Sequence, residues 1–179
     1  MRDIGVSITH DMIWQAAIST ETMNDSGSAH GTAPTGGYQA VGHLDDQLCF
    51  ALYAASNAVT RAYRPLLASI GLTYPQYLVL LILWEHRSRQ VGEIAASLQL
   101  ATHAVSPIVD RLEEADLVRR TRDGADGRVV RVELTEAGTE LEAAAAEVQE
   151  KIRCQTSLED SEVVRLRAEL HNLIERMGG

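Results

Sequence analysis

The run Leu48-Cys49-Phe50-Ala51-Leu52-Tyr53 sets one of the chain's two cysteines in an apolar stretch, four residues ahead of a tyrosine. In a helix that spacing is about one turn, so Cys49 and Tyr53 can share a face. Tyr63 and Tyr74 follow in the same apolar region. A thiol reacts as the thiolate, and phenolic hydroxyls can donate hydrogen bonds that favour that anion. A buried cysteine with hydroxyl donors nearby is a candidate target for peroxide. The competing reading is a small core hydrophobe, the usual role of a lone free cysteine. The second cysteine, Cys154, lies 105 positions later. Two thiols so far apart make no disulfide framework, and no CxxC pair suggests a zinc site.

These residues depend on helices for their placement. From Leu44, apolar positions Leu48, Leu52, Ala55, Val59, Ala62, Leu66 and Ile70 recur at three- and four-residue steps, which predicts a long helix ending at Gly71. Pro65 falls inside it and is expected to kink it. Thr73-Tyr74-Pro75 opens a helix of about 75–86, apolar almost all round and so central to the core. A short helix over 91–98, a turn at 99–102 and a helix of about 103–115 form a helix-turn-helix pattern. The period then changes. Residues 117–121 and 129–134 are short β-type runs, joined by the turn-rich Arg122-Asp123-Gly124-Ala125-Asp126-Gly127. A helix-turn-helix followed by a two-stranded ribbon is a winged helix.

Thr135 can cap a helix of 136–153, and a last helix spans about 159–177. The fold class expected is mainly α with a small β-wing. A winged helix-turn-helix domain (73–134) is flanked by an N-terminal helix (44–72) and C-terminal helices (135–179). The flanking helices carry apolar stripes outside the winged-helix core. Such stripes need a partner, and self-association into a homodimer is the expected solution. Residues 1–43 are rich in Gly, Ser, Thr, Ala and Pro from Asn24 onward and read as a disordered extension.

The formal net charge is −9, which alone argues against a nucleic-acid binder. Its distribution argues for one. Residues 119–131 hold Arg119, Arg120, Arg122, Arg128 and Arg131 against Asp123 and Asp126, a local net charge of +3. The planar guanidinium fork suits phosphate and groove contacts, while the acidic remainder limits non-specific binding. There is no 18-residue apolar run and no basic-then-apolar leader at the N-terminus, so no membrane partner is expected and the location reads as cytoplasmic. No metal or other cofactor is implied.

The stretch LCFALYAASNAVTRAYRPLLASIGLTYPQYLVLLILWEH (48–86) resembles the organic-hydroperoxide-sensing repressors, the OhrR branch of the MarR family. The wing DGRVVR (126–131) is similar to the family's D-x-R-x-x-R pattern, and the resemblance covers about residues 44–177. It implies that Cys49 is the peroxide sensor and that Tyr53, Tyr63 and Tyr74 surround its thiolate, some from across the dimer. It also implies that Cys154 is a resolving thiol of the two-cysteine type, forming an intersubunit disulfide. An incidental helix cysteine is the alternative for Cys154. One departure stands out. Family members open the recognition helix with a segment like DSGTLTP, whereas here it reads Ala101-Thr102-His103-Ala104-Val105-Ser106-Pro107, without the acidic and glycine positions. The operator sequence is therefore not carried over.

The expected mechanism is a dimeric repressor on palindromic double-stranded operator DNA, with an organic hydroperoxide as signal. Thr102, His103 and Ser106 reach base edges or phosphates from the start of the recognition helix. Arg128 probes the minor groove from the wing and Asp126 orients an arginine. Arg119, Arg120, Arg122 and Arg131 either meet phosphates or form a solvated strand face. Oxidation of Cys49 to a sulfenic acid and condensation with a second thiol would reshape the dimer. The alternative is a MarR-type regulator gated by a small phenolic or aromatic ligand, with the cysteines as passengers. An enzyme, a thiol peroxidase, is disfavoured because the chain shows no thioredoxin-like βαβ pattern.

Overall fold

The structure is a computed structural model and describes residues 42–122 and 130–178. After a single 3₁₀ turn at Leu44–Asp46, the elements run in order as α1 (Leu48–Ala68), α2 (Tyr74–His86), β1 (Ser88–Gln90) and α3 (Val91–Ser97). They continue as α4 (Thr102–Glu114), β2 (Val118–Arg122), β3 (Val130–Leu134), α5 (Glu136–Thr156) and α6 (Asp160–Met177). The expected disorder of 1–43 concerns, up to residue 41, positions outside the described residues. So does most of the wing tip, residues 123–129, with Asp126 and Arg128.

Local chemistry explains the boundaries. Helix α1 runs unbroken through Pro65 to Ala68, so the proline costs it one backbone donor but does not end it. Termination falls at Gly71, whose φ of 75° is the left-handed conformation glycine adopts without a Cβ penalty. There the Leu72 N–H donates back to the Leu67 carbonyl at 3.0 Å. Helix α2 starts with Pro75 in its first turn, and the Gln76 side chain accepts the Thr73 backbone N–H at 2.8 Å. This is the reciprocal half of a capping box. Helix α5 is capped by Thr135, whose hydroxyl oxygen accepts from the Gly138 N–H at 3.0 Å.

The sheet has three antiparallel strands in the order β1-β3-β2, with Arg120 opposite Val132 and Thr121 opposite Arg131. The third strand, β1, is absent from the sequence reading. Ser88, Arg89 and Gln90 carry no apolar alternation, and pairing with Glu133, Val132 and Arg131 alone makes them a strand. Leu80 and Leu83 of α2, Ile94 of α3, Val105, Val109 and Leu112 of α4, and Val118 and Val132 of the strands are fully buried. The core therefore sits inside the winged-helix unit, and α2 crosses its centre. The spacing of Val105, Val109 and Leu112 turns one face of α4 inward and leaves Thr102, His103 and Asp110 outside.

Outside that core the apolar surface is open. Leu44, Leu48, Tyr53 and Val59 of the N-terminal segment are exposed, as are Val164, Leu166, Leu170, Ile174 and Met177 of α6. Helix α6 buries no residue, although Val163, Leu166, Leu170, Leu173 and Met177 recur at helical spacing. No described helix is long and apolar enough to cross a membrane.

Candidate functional site

Two sets of chemistry-bearing residues stand out, one on the helix-turn-helix and wing, the other on the thiols and tyrosines.

On the first, Thr102 opens α4 and is exposed with His103. Ser106 is half-buried, and its hydroxyl donates to the Thr102 carbonyl at 3.2 Å, which leaves its oxygen as an acceptor. Arg119 is exposed and pairs with Glu133 across the β2–β3 ladder at 3.4 Å. Exposed Arg122 ends β2, and Arg131 lies half-buried on β3. Arg120 is different. It is turned to α4, where its Nη1 donates to Glu113 Oε2 and its Nη2 to Asp110 Oδ1, each at 2.5 Å. Burial works against its charge, but the hydrogen bonds of Asp110 and Glu113 outweigh that and push its pKa up.

The joint beneath the wing is tight. The Thr135 hydroxyl donates to the Asp116 carbonyl at 2.6 Å and the Thr135 N–H to the Leu117 carbonyl at 3.1 Å. Gly138 packs directly on Leu117. Trp84 of α2 donates its indole N–H to the Gly138 carbonyl at 2.9 Å. This ties the central helix to the start of α5 and the root of β2.

On the second set, Cys49 and Cys154 are both free, exposed thiols. The expectation of a buried Cys49 is therefore corrected for the single chain. Of α1 only Leu67 is fully buried, so it is the C-terminal end that packs on the core, and the apolar run around Cys49 projects beyond it. Cys154, in the last turn of α5, donates its S–H to Glu150 Oε1 at 3.6 Å. Arg153 beside it holds the Glu150 carboxylate from Nε and Nη2 at 2.8 and 2.7 Å, and reaches Asp160 of α6 at 3.2 Å. The Arg153 hydrogen bonds lower the Glu150 pKa.

The tyrosines divide. Tyr63 and Tyr74 pack with ring centroids 5.2 Å apart, as expected from their shared apolar region. Tyr77, which sequence reasoning passed over, joins them at 5.5 Å from Tyr63, and Trp84 stands 6.4 Å beyond it. Burial pushes all three phenols up, Tyr77 furthest, and the hydroxyls of Tyr63 and Tyr77 share a hydrogen bond. The signal for Tyr77 and Trp84 was their spacing on α2, three and ten residues after Tyr74, which keeps them on the side facing α1 and α5. A cleft of about 270 Å³ lies against them between α2 and α5, bordered by Tyr77, Leu81, Trp84 and Gln149.

Helix geometry keeps this cluster from Cys49 within one protomer. Cys49 and Tyr63 are fourteen residues apart on α1, about 21 Å along the axis at about 1.5 Å per residue. Tyr53, one turn from Cys49, stays beside it. A shell of Tyr53, Tyr63 and Tyr74 around one thiol therefore requires two chains.

A model of the MarR family matches residues 72–130, from just before α2 through the helix-turn-helix to the wing. The chain is 37% identical over 134 residues to the organic hydroperoxide resistance transcriptional regulator of Bacillus subtilis, covering 75% of this chain and 91% of that one. It is 53% identical over 98 residues to the regulator TtmR of Methylorubrum extorquens, covering 55% of this chain and 50% of that protein. Among solved structures, reduced AbfR of Staphylococcus epidermidis bound to DNA superposes with a TM-score of 0.64 at 31% identity, over 76% of this chain and 95% of that chain. The same protein with a disulfide formed superposes at 0.54 with 30% identity, over 75% and 88%.

Proposed function

This chain belongs to the MarR family of transcriptional regulators, and we propose that it is a redox-sensing repressor. In this reading it binds palindromic operator DNA as a homodimer and is released when an organic hydroperoxide oxidises Cys49. The observation that carries it is the exposed Cys49 in the first turn of α1, in a chain 37% identical to an organic hydroperoxide resistance regulator across nearly all of that protein.

The dimer is supported by the exposed apolar residues of α1 and α6. Burying such residues is worth about 25 cal/mol per Å² of apolar area before association costs. A second chain would also supply the tyrosines that one chain cannot bring to its own Cys49. Two winged helices then address two half-sites about one helical turn of DNA apart. Thr102, His103 and Ser106 present polar groups at the start of α4. Arg119, Arg122, Arg128 and Arg131 supply positive charge along the wing, with Arg128 as its groove probe and Asp126 its orienting partner.

The chemistry runs in two steps. The Cys49 thiolate attacks the distal peroxide oxygen, the O–O bond breaks, and the hydroperoxide is reduced to its alcohol as Cys49 becomes a sulfenic acid. The Cys154 thiol of the partner protomer then attacks that sulfur, forming a disulfide and releasing water. A disulfide needs Cα atoms within about 7 Å; where the two thiols start farther apart, closing it moves α1 of one chain against the α5–α6 joint of the other. That movement changes half-site spacing. A hundredfold loss of operator occupancy needs only about 2.7 kcal/mol. The signal is consumed once per thiol with no turnover, so this is regulation and not enzymatic peroxide removal. The test is a non-reducing gel after stoichiometric cumene hydroperoxide. A covalent dimer that requires both Cys49 and Cys154 supports the reading, and a dimer that survives loss of either cysteine refutes it.

The open cleft beside Tyr77 and Trp84, lined also by Glu85 and Glu142, offers a place for one second reading, a regulator gated by a small phenolic or aromatic ligand. It predicts release from DNA that is indifferent to Cys49.

A further inference from the structure

We infer that Arg120 is a positioning residue that locks the wing strand to the recognition helix, rather than a contact to the DNA backbone. This rests on the DNA-binding reading above and assigns one of its arginines a different task. Composition counts Arg120 among the charges of the wing. Geometry removes it from that surface.

Three hydrogen bonds join the same two elements. The guanidinium spans Asp110 and Glu113, which lie three residues apart on α4 and so share a face. The second Glu113 oxygen accepts the Arg120 backbone N–H at 2.8 Å. Strand β2 is an edge of the sheet, with β3 on its other side. Its outward N–H at position 120 would otherwise be left for water or another chain. Glu113 closes that edge and grips the side chain of the same residue. Both acids belong to the helix that carries Thr102, His103 and Ser106, and Arg120 sits opposite fully buried Val132. The wing is thus tied at its root to the reading helix through a half-buried guanidinium that spans two more exposed carboxylates. Charge-assisted hydrogen bonds in such a small network hold geometry better than an isolated surface pair.

A clamp and a phosphate contact make opposite predictions. Glu113→Gln, alone or with Asp110→Asn, removes negative charge near the DNA. If Arg120 met phosphate, these changes would free it and strengthen binding. If it is a clamp, they loosen the wing and weaken binding. Arg120→Ala would lower the slope of log affinity against log salt by about 0.9 for a lost phosphate contact, and would leave the slope unchanged for a lost clamp.

The experiment is fluorescence anisotropy across a salt series. It compares the full chain and these variants on a labelled palindromic duplex recovered by selection from a random pool, with a scrambled duplex as reference. Circular dichroism reports folding, and Glu113→Gln, nearly isosteric, tests the clamp even if Arg120→Ala misfolds. The expected result is about tenfold weaker binding to the selected duplex for each variant, an unchanged salt slope, and little further loss when Arg120→Ala is added to the acid changes. Tighter binding by the acid variants, or a slope reduced in Arg120→Ala, overturns the clamp while leaving the DNA-binding reading intact. A wild-type chain that does not prefer the selected duplex overturns the DNA-binding reading and the clamp's role with it.

Discussion

Replacing Gly138 by alanine should destabilise this protein, against the ordinary trend for a glycine inside a helix. In the interior of an exposed helix, Gly→Ala gains up to about 1 kcal/mol. Here an added Cβ would lie 2.0 Å from the Leu117 carbonyl oxygen, 2.9 Å from its carbon and 3.3 Å from Leu134 Cδ2. Contacts of this kind below 3.0 Å essentially do not occur, so the start of α5 and the root of β2 must part by at least 1.0 Å. The obstacle is backbone, which cannot rotate aside. Overpacking costs about 1–3 kcal/mol. The Thr135 N–H to Leu117 bond, at 3.1 Å, would be stretched out of range at a further cost of about 1 kcal/mol. Set against the helical gain, the net is about 2 kcal/mol of lost stability. For a chain of this size that is a fall of about 4–8 °C in Tm. Thermal and urea unfolding followed by tryptophan fluorescence measures it, at fixed protein concentration because a dimer's stability depends on concentration. Trp84 donates to the Gly138 carbonyl, so its emission should change in the native variant as well. An unchanged or raised Tm would refute the close approach of α5 to the wing root.

Three further outcomes follow from the same geometry. Tyr63, Tyr74 and Tyr77 are raised by burial from 10.0, so the folded state keeps protons that the unfolded chain releases. Their contribution to stability is full below about pH 10 and is lost as pH climbs through the raised values. Absorbance at 295 nm should show three late-ionising phenols, and their contribution to the unfolding free energy should fall in that alkaline range. Leu170→Asp with Ile174→Asp sets two charges on the exposed stripe of α6 and should shift sedimentation from dimer to monomer, while far-UV circular dichroism is retained. Cys154→Ser should abolish the covalent dimer after peroxide yet leave a Cys49 sulfenic acid, which dimedone labels and mass spectrometry counts.

Most of this fold was written in apolar periodicity. Helices α1 to α6 fall within a few residues of where the sequence sets them, because α1 to α5 turn apolar residues into the core and α6 carries an apolar stripe at helical spacing, although the single chain leaves that stripe exposed. Strand β1 was not legible, since Ser88, Arg89 and Gln90 carry no pattern and exist as a strand only through long-range pairing. The exposure of Cys49 was not legible either. An apolar run reads the same whether it fills its own core or waits for a second chain. Arg120 shows a third limit. A charge count identifies a basic wing, but only the fold reveals that Asp110 and Glu113 face one of its arginines. Tyr77 and Trp84 escaped notice for the opposite reason, looking like ordinary members of an apolar helix until their contacts with Tyr63 and Gly138 gave them a place.

The decisive measurement is operator affinity by fluorescence anisotropy, with and without one equivalent of cumene hydroperoxide, for the wild-type chain and Cys49→Ser. The redox reading predicts tight binding by both reduced proteins and about a hundredfold loss on peroxide treatment of the wild type alone, the equivalent of about 2.7 kcal/mol. Equal release of Cys49→Ser, or no release of either protein, would contradict it and leave Cys49 a surface thiol awaiting only a packing partner.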